Sequence, residues 1–154
     1  PAARGGPVED GLIVGHRLMA AGEYELALKA YYRAAGQDGI TVDTLSAIGS
    51  ANLQLGRLGQ AETVLRQAIK EDGRFVPALN NLGVVLMERG KVGEARAIFQ
   101  QAFALDSGQS DAIRENLRLA IARTEDNVYS AAEEKPAFSL VRREKGQFVL
   151  LSQL

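Results

Sequence analysis

The chain has 154 residues, with 18 lysines and arginines against 19 aspartates and glutamates, one histidine and no cysteine. A formal charge of −1 supplies no broad basic field for nucleic acid or an anionic membrane surface. The absence of thiols excludes disulfides, thiolate metal sites and a cysteine nucleophile, and no apolar run approaches the roughly 20 residues that span a bilayer.

Residues 1–7 (PAARGGP) are rich in glycine and proline and read as a disordered lead. Pro1 stands where a methionine would begin a nascent chain, so the expectation is a processed or trimmed fragment. Its location is then periplasmic or outer-membrane-anchored if an upstream lipoprotein signal was removed, and cytoplasmic otherwise.

From there a pattern repeats. Gly15, Gly22, Ala27 and Ala34 recur 34 residues later as Gly49, Gly56, Ala61 and Ala68, and again as Gly83, Gly90, Ala95 and Ala102. A fixed period of this size marks a helical repeat array. Helices are expected at roughly 8–21 and 24–37, 42–55 and 58–71, then 76–89 and 92–105. In the third copy Leu79, Leu82, Gly83 and Leu86 share one face at i, i+3, i+4 and i+7. Gly90 ends that helix, because glycine takes the left-handed cap conformation without steric cost. Val92, Ala95, Phe99, Ala102 and Phe103 give the second helix its apolar face. Gly83 and Ala95 are expected where the two helices cross most closely. Pro77 suits a first helical turn, where a missing N–H does no harm.

Ser110 is a candidate N-cap for a seventh helix, Asp111 to about Arg123, with Asp111 at its positive end. Ile113, Asn116, Leu117, Ala120 and Ile121 form its expected buried stripe, and Arg114, Glu115, Arg118 and Arg123 face out. A helix there would cap the last apolar face of the array. The units are therefore repeats at 8–41, 42–75 and 76–109, a capping helix at 110–124, and a linker with a tail at 125–154. In the linker, residues 125–136 are polar. In the tail, AFSLVRREKGQFVLL alternates apolar and polar residues around Lys145-Gly146 and reads as a β-hairpin. An isolated hairpin is marginal in water; it stays mobile, packs on its own array, or pairs with another chain.

These residues resemble the tetratricopeptide repeat, a helix–turn–helix family of the same period. The resemblance covers Val8 to about Gln109 as three repeats. It rests on small residues at positions 8, 20 and 27, glycine at 15, and aromatic or aliphatic side chains at 17 (Tyr24, Leu58, Val92) and 24 (Tyr31, Leu65, Phe99). Position 31 is Asp38, Asp72 and Asp106. Departures are Gly11 at position 4, which predicts a loosely packed first helix, Asn52 at position 11, and Gly39, Gly73 and Ser107 where a proline is usual. The implied fold is an all-α right-handed superhelix, and the implied activity is non-catalytic protein binding.

In that family the first helix of each repeat lines the concave surface. The groove expected here contains Leu12, His16 and Met19, then Ser46 and Ser50, then Asn80, Asn81, Val84 and Met87, with Arg114 and Arg118 extending the row. Asparagines pair donors and acceptors with an extended main chain, and arginine suits a carboxylate. Members that hold acidic chaperone tails carry basic and asparagine residues where this chain has Leu12, His16, Ala47, Pro77 and Asn81, so a chaperone-tail receptor is not expected. No catalytic, cofactor or metal constellation is present; an enzyme would have to rest on His16 and scattered acids. The expected partner is a protein or peptide. The alternative is self-assembly, with the tail in its own or a neighbour's groove. The general layout and the tail also look similar to the tetratricopeptide lipoproteins of tight-adherence pilus assembly.

Overall fold

The structure, a computed structural model, describes residues 10–133. These form seven helices: α1 (Gly11–Ala20), α2 (Tyr24–Asp38), α3 (Val42–Gln54), α4 (Leu58–Glu71), α5 (Val76–Glu88), α6 (Val92–Leu105) and α7 (Asp111–Glu133). No strand occurs among the described residues. The lead at 1–7 and the hairpin expected within 137–154 lie outside them.

Short turns fold each helix back on the one before. Gly22, Gly56 and Gly90 have φ of 78°, 78° and 80°, one value at each step of the repeat. The backbone closes around each: Glu23 N–H donates to Leu18 O at 2.8 Å, Arg57 N–H to Asn52 O at 2.9 Å, and Lys91 N–H to Leu86 O at 2.8 Å. This six-to-one closure satisfies carbonyls that the helix end would leave bare.

Two layers result. The backbones of α1, α3, α5 and α7 approach one another in succession, whereas those of α2, α4 and α6 do not meet. The odd-numbered helices therefore form an inner, concave row and the even-numbered ones an outer, convex row. Helix α5 is central, packing on α4 and α6 and flanked by α3 and α7, and it is buried from Val76 to Met87.

At the small residue of each of the first three inner helices, a large side chain of the paired outer helix closes in. A Cβ on Gly83 would stand 2.3 Å from the Phe99 ring, so Gly83 receives Phe99. Gly15 likewise receives Tyr31 (2.2 Å) and Gly49 receives Leu65 (2.4 Å). The missing side chain at position 8 makes room for the large one at position 24 of the same repeat. Gly11 departs from expectation. It is buried, and a Cβ there would lie 2.8 Å from the Ala34 Cβ, so glycine permits a tight approach rather than a loose one.

Helix α7 runs ten residues past its expected end, through Glu133 and into the stretch read as linker. No glycine or proline interrupts the chain between Asp111 and Pro136, so nothing local stops the helix. Ser110 caps its start, with Oγ accepting from Ile113 N–H at 3.2 Å. Its buried residues are Ile113, Asn116, Leu119, Ala120 and Arg123, while Leu117 and Ile121 are only partly covered. Arg123, expected outside, is 7% exposed, because it continues the three-to-four spacing of Ile113, Asn116 and Ala120.

Candidate partner-binding groove

The inner row assembles most of the residues expected to line a groove. Leu12, His16 and Met19 on α1 are partly open. Ser46 and Ser50 on α3, and Asn80, Asn81, Val84 and Met87 on α5, are all 4% exposed or less. The middle of the groove is therefore a closed, largely polar seam.

Hydrogen bonds run along that seam from α7 to α3. Asn116 Nδ2 donates to Asn80 Oδ1 at 2.8 Å, Asn80 Nδ2 to Asn81 Oδ1 at 3.1 Å, and Asn81 Nδ2 to Ser50 Oγ at 2.7 Å. Ser50 Oγ in turn donates to Ser46 O at 3.2 Å. Each amide so placed must be paired, since an unsatisfied buried donor or acceptor costs about 1–3 kcal/mol. Asn116 thus continues the inner row. Sequence periodicity had put it in a packing stripe without a polar role, and only its asparagine identity hinted otherwise.

Arg114 and Arg118, expected to extend the row, are engaged with near neighbours. Both are exposed, Arg114 held by Asp111 and Gly108 O and Arg118 by Glu115. A hydrogen bond from Arg118 holds the Glu115 carboxyl below its ordinary range. Asp10 before α1, Asp43 on α3 and Glu88 at the end of α5 are exposed, as are Arg17 on α1 and Arg89 directly after α5.

His16 is tied to its own repeat. Its Nδ1 lies 2.9 Å from Tyr31 Oη, and the rings meet edge to face with centroids 5.5 Å apart. Burial pushes the imidazole below its usual value, opposed by the charges of Asp10 and Asp43, and burial pushes the Tyr31 phenol upward. Among the described residues no three His, Cys, Asp or Glu side chains gather as a metal site would require, and no helix is long and apolar enough to cross a membrane.

The outer row contains a second concavity. A cleft of about 430 Å³ lies between α2 and α4 over α3, lined by Leu28, Tyr32, Leu45, Ile48, Asn52 and Val64 among others. Asn52 sits where the next repeat has the fully buried Leu86, and its Nδ2 turns back to Ile48 O at 3.1 Å. Between α4 and α6 the corresponding side is bridged instead. Glu62 accepts from Arg66 (2.9 Å), Arg89 (3.2 Å) and Lys91 (3.3 Å), and Arg66 also reaches Glu94 at 2.7 Å. Burial works to raise the Glu62 carboxyl, but the hydrogen bonds and charges of Arg66 and Lys91 together hold it below its ordinary value.

The family model described as tetratricopeptide repeat matches residues 15–73 and 46–110, more than half of the chain. The chain belongs to the tetratricopeptide-repeat family. No curated protein matches it in sequence. Solved tetratricopeptide structures do match in shape. The second such domain of human RPAP3, determined in complex with the HSP70 peptide SGPTIEEVD, is 25% identical, with a TM-score of 0.63 over 72% of this chain and 92% of that one. The domain of Sgt2 from Aspergillus fumigatus is 22% identical, with a TM-score of 0.73 over 81% and 85%. MamA is 20% identical, with a TM-score of 0.64 over 88% and 78%. The latter two likenesses concern the fold alone.

At the five positions where tetratricopeptide chaperone receptors resemble one another, this chain has no lysine or arginine. Ala47 and Pro77 are buried, Asn81 is bonded to Ser50, and Leu12 and His16 are partly open.

Proposed function

We propose that this tetratricopeptide chain is a non-catalytic interaction scaffold that receives an extended or helical segment of a partner protein in its concave groove. The observation that carries the reading is the inner row. Four helices meet side by side there, with partly open apolar positions at Leu12, Met19 and Leu53 and a hydrogen-bonded polar seam between them. The human RPAP3 domain, in complex with a peptide, supports a peptide as the kind of ligand.

The segment taken here differs from an acidic tail. No lysine or arginine stands at the five positions that chaperone receptors share, and Arg114 and Arg118 are engaged with neighbouring acids. A segment with apolar anchors complements the partly open positions. Service in a bacterial secretion or pilus machine is a narrower reading, supported only by the layout and the sequence FSLVRREKGQFVLL.

Photo-crosslinking in cells tests the groove reading, with a reactive residue at Met19 on α1 and, as a control, at the exposed Lys29 on α2. Capture of a foreign polypeptide from Met19 and not from Lys29 supports it. Equal capture from both, or capture from Lys29 alone, contradicts it.

A further inference from the structure

We propose that the cleft between α2 and α4 over α3 is a binding site for a small uncharged molecule, an apolar body carrying one N–H or O–H donor. The site lies on the convex side and stands independently of the groove reading.

Asn52 sets the chemistry. Repeats 1 and 3 have leucine at its position, Leu18 and Leu86, and Leu86 is fully buried. Asn52 is 5% exposed and lies among Leu28, Leu45, Ile48 and Val64, where an amide group left unpaired is costly. Its Nδ2 faces Ile48 O at 3.1 Å. A carbonyl oxygen only accepts, so that edge of the amide is the NH2 and the other edge is the acceptor Oδ1. Oδ1 takes no hydrogen bond from any described residue, and it keeps accessible surface in the cleft that Asn52 lines. The floor of an apolar recess therefore presents an acceptor, and a ligand that brings a donor to it satisfies both groups.

The rest of the lining points to the same class. A volume of about 430 Å³ falls within the roughly 300–1,000 Å³ of small-molecule pockets. Of the described residues that line the cleft, Arg57 alone is charged, and Glu25 answers it at 3.0 Å, so the lining favours an uncharged ligand. Tyr32 and Ile40, also in the lining, are 56% and 69% exposed, which leaves large apolar surface for a ligand to cover. Between repeats 2 and 3 the equivalent position is filled by Leu86, and Glu62 bridges α4 to the α5–α6 turn. A ligand touching Leu28 on α2, Ile48 on α3 and Val64 on α4 ties repeat 1 to repeat 2.

Indole and benzothiophene test this in the full chain. The two share a shape, and indole has an N–H donor where benzothiophene has sulfur. Amide NMR titrations follow both probes in the parent, in Asn52→Ala, which removes the acceptor and leaves the room, and in Asn52→Leu, which fills it. Thermal melts confirm that each variant is folded. In the parent both probes should shift the amides of Leu28, Ile48 and Val64 saturably. Asn52→Ala should lower the affinity for indole relative to that for benzothiophene by about threefold to tenfold, the worth of one hydrogen bond. Asn52→Leu should weaken both.

Shifts that do not saturate, or that centre on α1 and the concave row, overturn the inference. So does an indole-to-benzothiophene ratio that Asn52→Ala leaves unchanged. A blocked tryptophan amide that binds the cleft tenfold tighter than indole assigns it to a protein side chain and overturns the free small molecule. Partner capture at Met19 is a separate readout, so this site and the groove can fail independently.

Discussion

The Phe99 ring covers Gly83 so closely that a Cβ on Gly83 would stand 2.3 Å from it. Gly83→Ala should therefore destabilise the chain by about 1–3 kcal/mol through overpacking, despite the better helix propensity of alanine. Trimming the ring with Phe99→Leu should relieve the clash. In a double-mutant cycle by urea denaturation, the pair should couple favourably by about 0.5–3 kcal/mol. Additive losses would mean that the two residues do not share the contact.

A different cost is expected at Gly90. No atom lies within 4 Å of its Cβ position, but φ is 80°. Gly90→Ala should lose about 1–2 kcal/mol from left-handed backbone strain, and no trimming of a neighbour should restore it. Thermal melts of Gly90→Ala with and without Phe99→Leu distinguish this strain from the packing clash at Gly83.

Glu62 links α4 to the α5–α6 turn through Arg66, Arg89 and Lys91. Its carboxyl is held below its ordinary value of 4.5 in the folded chain. The unfolded chain therefore takes up the proton first as pH falls, and the stabilisation present above about pH 4.5 is lost as pH drops through the folded value. Glu62→Gln should cost about 1–2 kcal/mol near pH 7. The difference from the parent should shrink towards zero in acid, as read by thermal melts from pH 7 to pH 3. A difference that does not change with pH would place the effect in packing rather than charge.

Much of the fold is legible in the sequence, for a physical reason. The glycines that need positive φ and the small residues that admit Tyr31, Leu65 and Phe99 recur at one period, so six helices and their turns can be placed from spacing alone. What spacing does not reveal is partner choice within that frame. It marked Gly83 as a point of close approach without naming the large side chain that closes on it, Phe99. It also ended α7 near Arg123, because a polar stretch reads alike as linker or as an exposed helix. The inner helical row was legible as positions but not as an environment. Asn80 and Asn81, expected to hold a peptide backbone, are bonded to Asn116 and Ser50, and Arg114 and Arg118 are drawn to acids one turn away.

The amide seam makes its own prediction. Asn116→Ala removes the donor that Asn80 Oδ1 accepts at 2.8 Å, and Asn80→Ala removes the acceptor. Each should cost about 1–3 kcal/mol, with the double variant losing less than the sum. Chemical denaturation of the four proteins measures this. Full additivity would show that the two amides are stabilised separately.

His16 gives a pH dependence of the opposite origin. Its imidazole is depressed from 6.5 by burial, so the unfolded chain binds a proton that the folded chain refuses. Stability should fall as pH drops below 6.5 and level off below the folded value, and should rise again on return to neutral pH. His16→Gln should flatten that segment of the stability curve; an unchanged slope would assign it to another group.

Hydrogen exchange of the chain, with and without the partner segment captured at Met19, tests groove binding most directly. Binding in the concave row should slow exchange on α1, α3 and α5 and leave the outward faces of α2, α4 and α6 unchanged. Protection confined to α2 and α4, around the cleft over Asn52, would contradict the groove and place the partner on the convex side.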